Sequence, residues 1–145
     1  MNIDVQKLLE NRTRKILGSE NFAQFSVLLP LLEKEGETHV LFEVRSHNLR
    51  RQPGEICFPG GRIDLEDNND RYTAIRETTE ELGITNNHIK HVFPLDYLVT
   101  AFGTIIYPYV GFIVEPEKIS PNPSEVEEVF TVPLSSFLNT KPDCY

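Results

Sequence analysis

The chain is poor in cysteine. Its 145 residues hold only Cys57 and Cys144, far apart and at no metal-ligand spacing. That density excludes the disulfide scaffold of a small secreted domain, and two reduced thiols are expected. There is no run of eighteen apolar residues, so no transmembrane helix is indicated. The opening MNIDVQKLLENRTRK has charges where a signal peptide needs an apolar stretch, which makes a cytoplasmic location the default. Basic residues are outnumbered, 14 against 22 acids, for a formal net charge of −8. Nucleic-acid binding needs a basic face, so it is excluded as the main function. An anionic small molecule is still admissible if local arginines and a bound cation reverse the field. One stretch does this: Arg45, Arg50, Arg51 and Arg62 are opposed only by Glu55.

Neither repeats nor low-complexity tracts interrupt the chain, and its length suits a single domain over residues 1–145. Residues 2–17 read as an amphipathic helix with Val5, Leu8, Leu9, Ile16 and Leu17 on its apolar side. Gln24 to Leu32 reads as a strand whose end Pro30 places at an edge. A charged turn from Glu33 to Thr38 leads to a returning strand, His39 to Arg45, so a hairpin is expected. Arg50 to Gly61 reads as loop, as does the acidic stretch Asp64 to Asp70. Tyr72 to Leu82 is the clearest helix, with Gly83 as its C-terminal cap. Val92 to Thr100, Ile105 to Val114 and Val126 to Val132 read as strands. A proline-rich loop, Glu115 to Ser124, precedes the last, and Pro133 opens a short final helix. This mixture predicts an α+β or α/β layered domain.

The chemistry concentrates on Arg76-Glu77-Thr78-Thr79-Glu80-Glu81-Leu82-Gly83. With roughly 100° per helical residue, Glu77 and Glu81 share a face and Glu80 lies beside them. Ile75, Thr78 and Leu82 point the other way, toward a core. Like charges at these spacings repel by a few tenths of a kcal/mol per pair, about 0.2–0.5. A hard cation such as Mg²⁺ or Mn²⁺ removes the conflict, because it prefers carboxylate oxygen. A solvated acidic face is the alternative for these three glutamates alone. Upstream, Phe58-Pro59-Gly60-Gly61 supplies a backbone that a metal or phosphate can approach closely, with a carbonyl as a further oxygen donor. An ordinary tight turn is the alternative there.

Gly60-Gly61, the acidic loop, and Arg76-Glu77-x-x-Glu80-Glu81-x-Gly83-Ile84 together resemble the Nudix box. The box here carries Asp67 at a position usually held by glutamate, and Arg76 falls one residue late. That extra residue resembles the coenzyme A pyrophosphatase branch. So does the upstream spacing of Arg45-Ser46, Arg50, Gly54 and Phe58-Pro59-Gly60-Gly61. Leu41-Phe42-Glu43 departs from that branch's usual leucine-leucine-threonine. Downstream, Pro121 to Val126 and Val132-Pro133-Leu134 also look like the branch. The likeness covers roughly residues 25–138. It implies a Nudix fold, an α/β/α sandwich around a mixed β-sheet with a β-hairpin. Family members run on to a closing C-terminal helix, so a truncated or short form is expected.

The resemblance implies Glu77 and Glu81 as metal ligands, Glu80 as a ligand of a second cation or an orienter of water, and Gly61 or Gly60 as a carbonyl donor. Arg76 is expected to hold the glutamates by charge-assisted hydrogen bonds. Glu80 and Glu125 are the alternatives for the general base. Arg45, Arg50 and Gly54 are the substrate-contact candidates, since an arginine fork suits phosphate oxygens. Arg45 pairing with a nearby acid is the competing structural reading. Tyr97, Phe102, Tyr107 and Tyr109 are candidate stacking residues or plain packing, and the four histidines are structural or exposed. The implied function is Mg²⁺- or Mn²⁺-dependent hydrolysis of coenzyme A to 4′-phosphopantetheine and adenosine 3′,5′-bisphosphate. A Nudix hydrolase of ADP-ribose, a dinucleotide or a nucleoside triphosphate, a non-catalytic Nudix-fold module, and a merely hydrated acidic face are the alternatives. The expected partner is a small molecule, with neither nucleic acid nor membrane; a homodimer is compatible with the sequence.

Overall fold

A computed structural model describes residues 5–10 and 12–143. In chain order it has α1 (Val5–Glu10), β1 (Ala23–Lys34), β2 (Glu37–Arg45), β3 (Ile56–Cys57), β4 (Gly60–Arg62), α2 (Asp70–Leu82), β5 (Ile89–Pro94), β6 (Leu98–Val99), β7 (Thr104–Ile113), β8 (Val126–Pro133) and α3 (Leu134–Leu138). The strands form one mixed sheet in the order β3-β2-β1-β7-β5, with β4 on β1, β6 on β7 and β8 on β2. Among the described residues only β1 and β7 run parallel, from Ala23 opposite Thr104 to Leu31 opposite Phe112. The α+β expectation holds.

The predicted hairpin is β1–β2, in register from Leu31 opposite Val40 to Lys34 opposite Glu37. Its turn is Glu35 and Gly36, at φ 52° and 79°. Two positive φ values give the turn whose twist matches the strands, so the strands extend further than the charge pattern suggested. Pro30 does not mark an edge. It is buried mid-strand, where β1 changes partner: β4 pairs with Phe25 to Val27, and β2 begins at Leu31. Leu28 donates its N–H to the Pro59 carbonyl on that side (2.9 Å). The N–H that proline lacks would point the same way, into the gap between partners, and no ladder bond is lost.

Three other expectations are corrected. The first helix spans only Val5–Glu10, and residues 12–16 are irregular. Val5, Leu9 and Leu17 are exposed, so these three give it no packed face. Residues 2–4, residue 11, the Leu8 side chain and Cys144 lie outside the described residues. The segment read as loop from Arg50 to Gly61 contains β3 and the start of β4. The strand expected from Val92 to Thr100 is broken into β5 and β6. His91, at φ 53°, accompanies a register shift between Lys90 and Phe93, and Leu95 to Val99 are exposed.

Helix α2 starts where Asn69 Oδ1 accepts the Tyr72 N–H (2.8 Å) and ends at Gly83, φ 63°. Its inner face packs Ala74, Thr78 and Leu82 on the sheet, in a core with Leu28, Leu32, Leu41 and Ile113. On the other face, Phe42 stacks between Phe58 (4.9 Å) and Phe130 (5.4 Å), and Phe137 of α3 covers it at 6.0 Å. Pro133 is the N-cap of α3 as expected. Strand alternation thus sends Leu41, Glu43 and Arg45 toward α2 and Phe42 away from it.

Candidate active site

Three segments meet at the C-terminal half of α2. Glu81 is 6% exposed, and its Oε2 accepts the Gly60 N–H at 2.9 Å. Glu77 is half-buried against β4; a Cβ built on Gly61 would lie 2.5 Å from its carboxyl carbon. Only glycine lets the chain pass so close to that carboxylate. Gly60 faces the same demand from the strand, since a Cβ there would meet the Ser26 carbonyl oxygen at 2.5 Å.

The third segment brings Glu125. The Ser46 N–H donates to the Glu125 carbonyl (2.9 Å), and Asn122 donates its N–H to the Glu81 carbonyl (2.9 Å). The proline-rich loop therefore ties off the exposed carbonyls at the end of α2 and carries Glu125 back to it. Arg45, Leu49, Gly60, Glu77, Glu81 and Glu125 line one cleft of about 180 Å³. A larger cleft of about 330 Å³ lies by Leu32, Leu41, Ile119 and Val129, away from these acids.

The predicted role of Arg76 takes a specific form. Its Nε and Nη2 grip Asp67 Oδ1 and Oδ2, both at 3.0 Å, and its Nη1 reaches Glu77 Oε1 at 3.1 Å and Glu80 at 3.5 Å. Asp67 also accepts from the Thr73 hydroxyl and the Asp64 N–H. These bonds hold the Asp67 carboxyl far below the usual carboxylate range, because they favour its charged form. Burial pushes Glu81 well above that range, with repulsion from Glu43 adding to it and the Gly60 bond opposing it. Burial also raises Glu77, against the pull of Arg76.

Glu43 is the residue that motif reading missed. It is 1% exposed on β2, and its Oε1 has no hydrogen-bond partner. Burial first, then repulsion from Glu125, drives its carboxyl well above the usual range. The signal was available: an acid at an inward position of an apolar strand. Neighbouring Cys57 is a free thiol, raised to about 11 by burial and by Glu43.

Other candidates are placed less centrally. Glu80 is 52% exposed and leans on Arg76. Arg45 aims its Nε and Nη2 at the Arg51 carbonyl (3.3 and 3.1 Å), not at an acid. Arg50 is exposed on the loop, outside the cleft lining. Gly54, at φ 72°, is pressed by the His47 ring and closes the loop by donating to the Arg45 carbonyl (3.0 Å). Tyr109 donates to Asp70 (2.8 Å) and Tyr107 packs on Tyr97 at 5.9 Å, while Phe102 stands exposed. His88 caps its turn at Thr85 and approaches Glu115.

A hard divalent cation suits this donor set. Among the described residues no three histidine, cysteine, aspartate or glutamate side chains are placed to hold a metal ion as they stand; Glu77 turns to Arg76 and Glu81 to Gly60. Yet Glu77, Glu81 and Glu125 open onto one cleft, and an unpartnered carboxylate oxygen lies buried behind it. Buried acids so arranged need a counter-charge, and oxygen donors select Mg²⁺-like ions. Among the described residues no helix is long and apolar enough to cross a membrane.

Comparison with known proteins agrees with the geometry. The chain is similar to a peroxisomal coenzyme A diphosphatase, NUDT7, of Mus musculus, at 44% identity over 116 residues, 80% of this chain and 49% of that protein. It is 43% identical to the peroxisomal coenzyme A diphosphatase ndx-8 of Caenorhabditis elegans over 122 residues, 77% of this chain and 49% of that one. It thus spans about half the length of these curated relatives. Among solved structures, a C. elegans Ap4A hydrolase binary complex superposes with a TM-score of 0.63 at 18% identity, over 81% of this chain and 84% of that one, which establishes the fold. The NUDIX domain matches residues 23–143, and the chain belongs to the Nudix family.

Proposed function

We propose that this chain hydrolyses the diphosphate of coenzyme A or its derivatives, releasing 4′-phosphopantetheine and adenosine 3′,5′-bisphosphate. The reading rests above all on Glu77, Glu81 and Glu125 lining one cleft with Arg45, against the bare backbone of Gly60-Gly61. The names of the relatives at 43–44% identity supply the substrate. Nudix hydrolases generally use divalent metals, and Mg²⁺ or Mn²⁺ is the ion we assign.

Glu77 and Glu81 would hold the cation with a Gly60 or Gly61 carbonyl, and Glu80 a second one. When bound, the ion activates water and neutralises charge growing on phosphate oxygens. Arg76, locked by Asp67, fixes the orientation of Glu77 and is a positioning residue. Of the two base candidates we favour Glu125, which lines the cleft, over Glu80, which leans outward. Glu125 would take a proton from the attacking water at its carboxylate. Arg45 is the anchor for a phosphate oxygen, and Arg50 reaches from the loop to the outlying 3′-phosphate. Gly54 closes that loop through its bond to the Arg45 carbonyl. Residues 1–145 are read as one domain, with a cytoplasmic location as the default and a homodimer compatible with the sequence; sedimentation and tagged localisation test the last two.

Mass spectrometry of products from coenzyme A with Mg²⁺ or Mn²⁺ tests the activity. The two phosphorylated halves are expected. If ADP-ribose, a dinucleotide or a nucleoside triphosphate turns over far faster, the enzyme is a Nudix hydrolase of another substrate. Tight coenzyme A binding with no product over hours would make it a binding module instead.

A further inference from the structure

The site reading leaves one acid unused. Glu43 lies in β2 with β3 on one side and β8 on the other, opposite Cys57 and Val129. Its backbone is thereby satisfied, and its side chain points to the face that carries α2. Leu41, two residues before it, packs in the core with Leu82. Arg45, two residues after it, lines the acidic cleft. Glu43 therefore stands between the core and the cleft, behind Glu81. Its side chain is 1% exposed and its Oε1 has no partner.

Every acid around Glu43 repels it: Glu81, Glu77 and Glu125 all press on the same volume. Arg45 is the cation on that side, and its Nε and Nη2 are directed to the Arg51 carbonyl. A buried carboxylate oxygen with no donor is costly unless something positive or protic meets it. A structural role would provide a donor; Asp67 has four bonds from three residues.

We propose that Glu43 is a further carboxylate of the divalent-cation site, reaching the ion from the sheet while Glu77 and Glu81 reach it from α2. The proposal deepens the diphosphatase reading and rests on its cation site. On binding, the ion would displace the proton of Glu43 and gain an extra full negative charge on a rigid strand. Such a charge raises affinity for a hard cation more than it raises stability of the metal-free fold.

The test is Mn²⁺ binding to the whole chain, followed by the loss of the free Mn²⁺ signal in electron paramagnetic resonance, with thermal melts of the metal-free proteins alongside. The proteins are the parent, Glu81→Gln, Glu43→Gln and Glu43→Thr. Both Glu43 variants are expected to bind Mn²⁺ at least tenfold more weakly than the parent, yet melt at the same temperature or higher without metal. Glu43→Thr, a smaller uncharged side chain suited to a strand, decides the matter if Glu43→Gln does not fold. Affinities within twofold of the parent, while Glu81→Gln loses binding, would overturn the role of Glu43 and leave the site reading standing. A parent chain that binds no Mn²⁺ would overturn both.

Discussion

Asp67 and Glu81 are both shielded carboxylates, yet their surroundings differ completely. Asp67 receives two guanidinium bonds, a hydroxyl and a backbone N–H. Glu81 receives a single N–H from Gly60 and faces Glu43, Glu77 and Glu125. The first holds the acidic loop to α2. The second is left short of positive charge by the protein itself. Donors saturate the acid that ties the fold together, whereas the crowded and under-served acids are those to which the proposed function assigns a cation.

The contrast breaks first at Glu81. Glu81→Gln should lower turnover of coenzyme A by about a thousandfold or more, roughly 4 kcal/mol of barrier, with an unchanged circular dichroism spectrum. Near-parental activity would mean that the crowded acids are not ligands. Next comes Arg76→Ala, which leaves Asp67 enclosed without its partner. Urea denaturation should report a loss of about 3 kcal/mol, far more than any stability change in Glu81→Gln.

Titration sharpens the same comparison. For Asp67, the unfolded chain takes up a proton as pH falls through about 3.8, before the native chain does. Stability from the Arg76 clamp is therefore present above that value and is lost as pH falls below it. For Glu81 and Glu43 the sign reverses. The native chain keeps protons above about 4.5, where the unfolded chain has released them, so metal-free stability falls as pH rises from there through neutrality. Calorimetry of metal-free protein should show a lower melting temperature at pH 8 than at pH 5, and Mn²⁺ should restore much of the difference by mass action. An opposite slope would remove the strain between the buried acids. The smallest effect is expected from Gly61→Ala. The new methyl displaces the Glu77 carboxylate, and Mn²⁺ affinity should drop about tenfold, or roughly 1.4 kcal/mol, with little change in melting temperature.

Much of α2 was legible because its signals are local. The Gly83 cap, the inward Thr78 and Leu82, and the stripe of Glu77, Glu80 and Glu81 all follow from helical geometry, whereas the Asn69 cap, with a start at Asp70, falls in the stretch that reads as loop. The hairpin was legible for the same reason. What stayed hidden depends on distant partners. Nothing near Ala23 announces a parallel neighbour at Thr104, and Pro30 reads as an edge until β1 is seen to change partner there. The accommodation of Gly54 by His47 and the hold of Arg51 on Arg45 are loop geometry, which spacing does not encode. Glu43 lies between these cases. Its inward phase could be read from the strand, but its lack of a donor is known only once α2 and Glu125 close over it.

The long-range ladder between β1 and β7 bears on how the protein comes into being. Contacts between segments so remote must wait for the intervening chain, which slows a domain's collapse. Glu43 and Glu81 belong to the earlier part, whereas Glu125 arrives after β7. The acids of the cleft therefore come together only after the segment that carries Glu125 has been made.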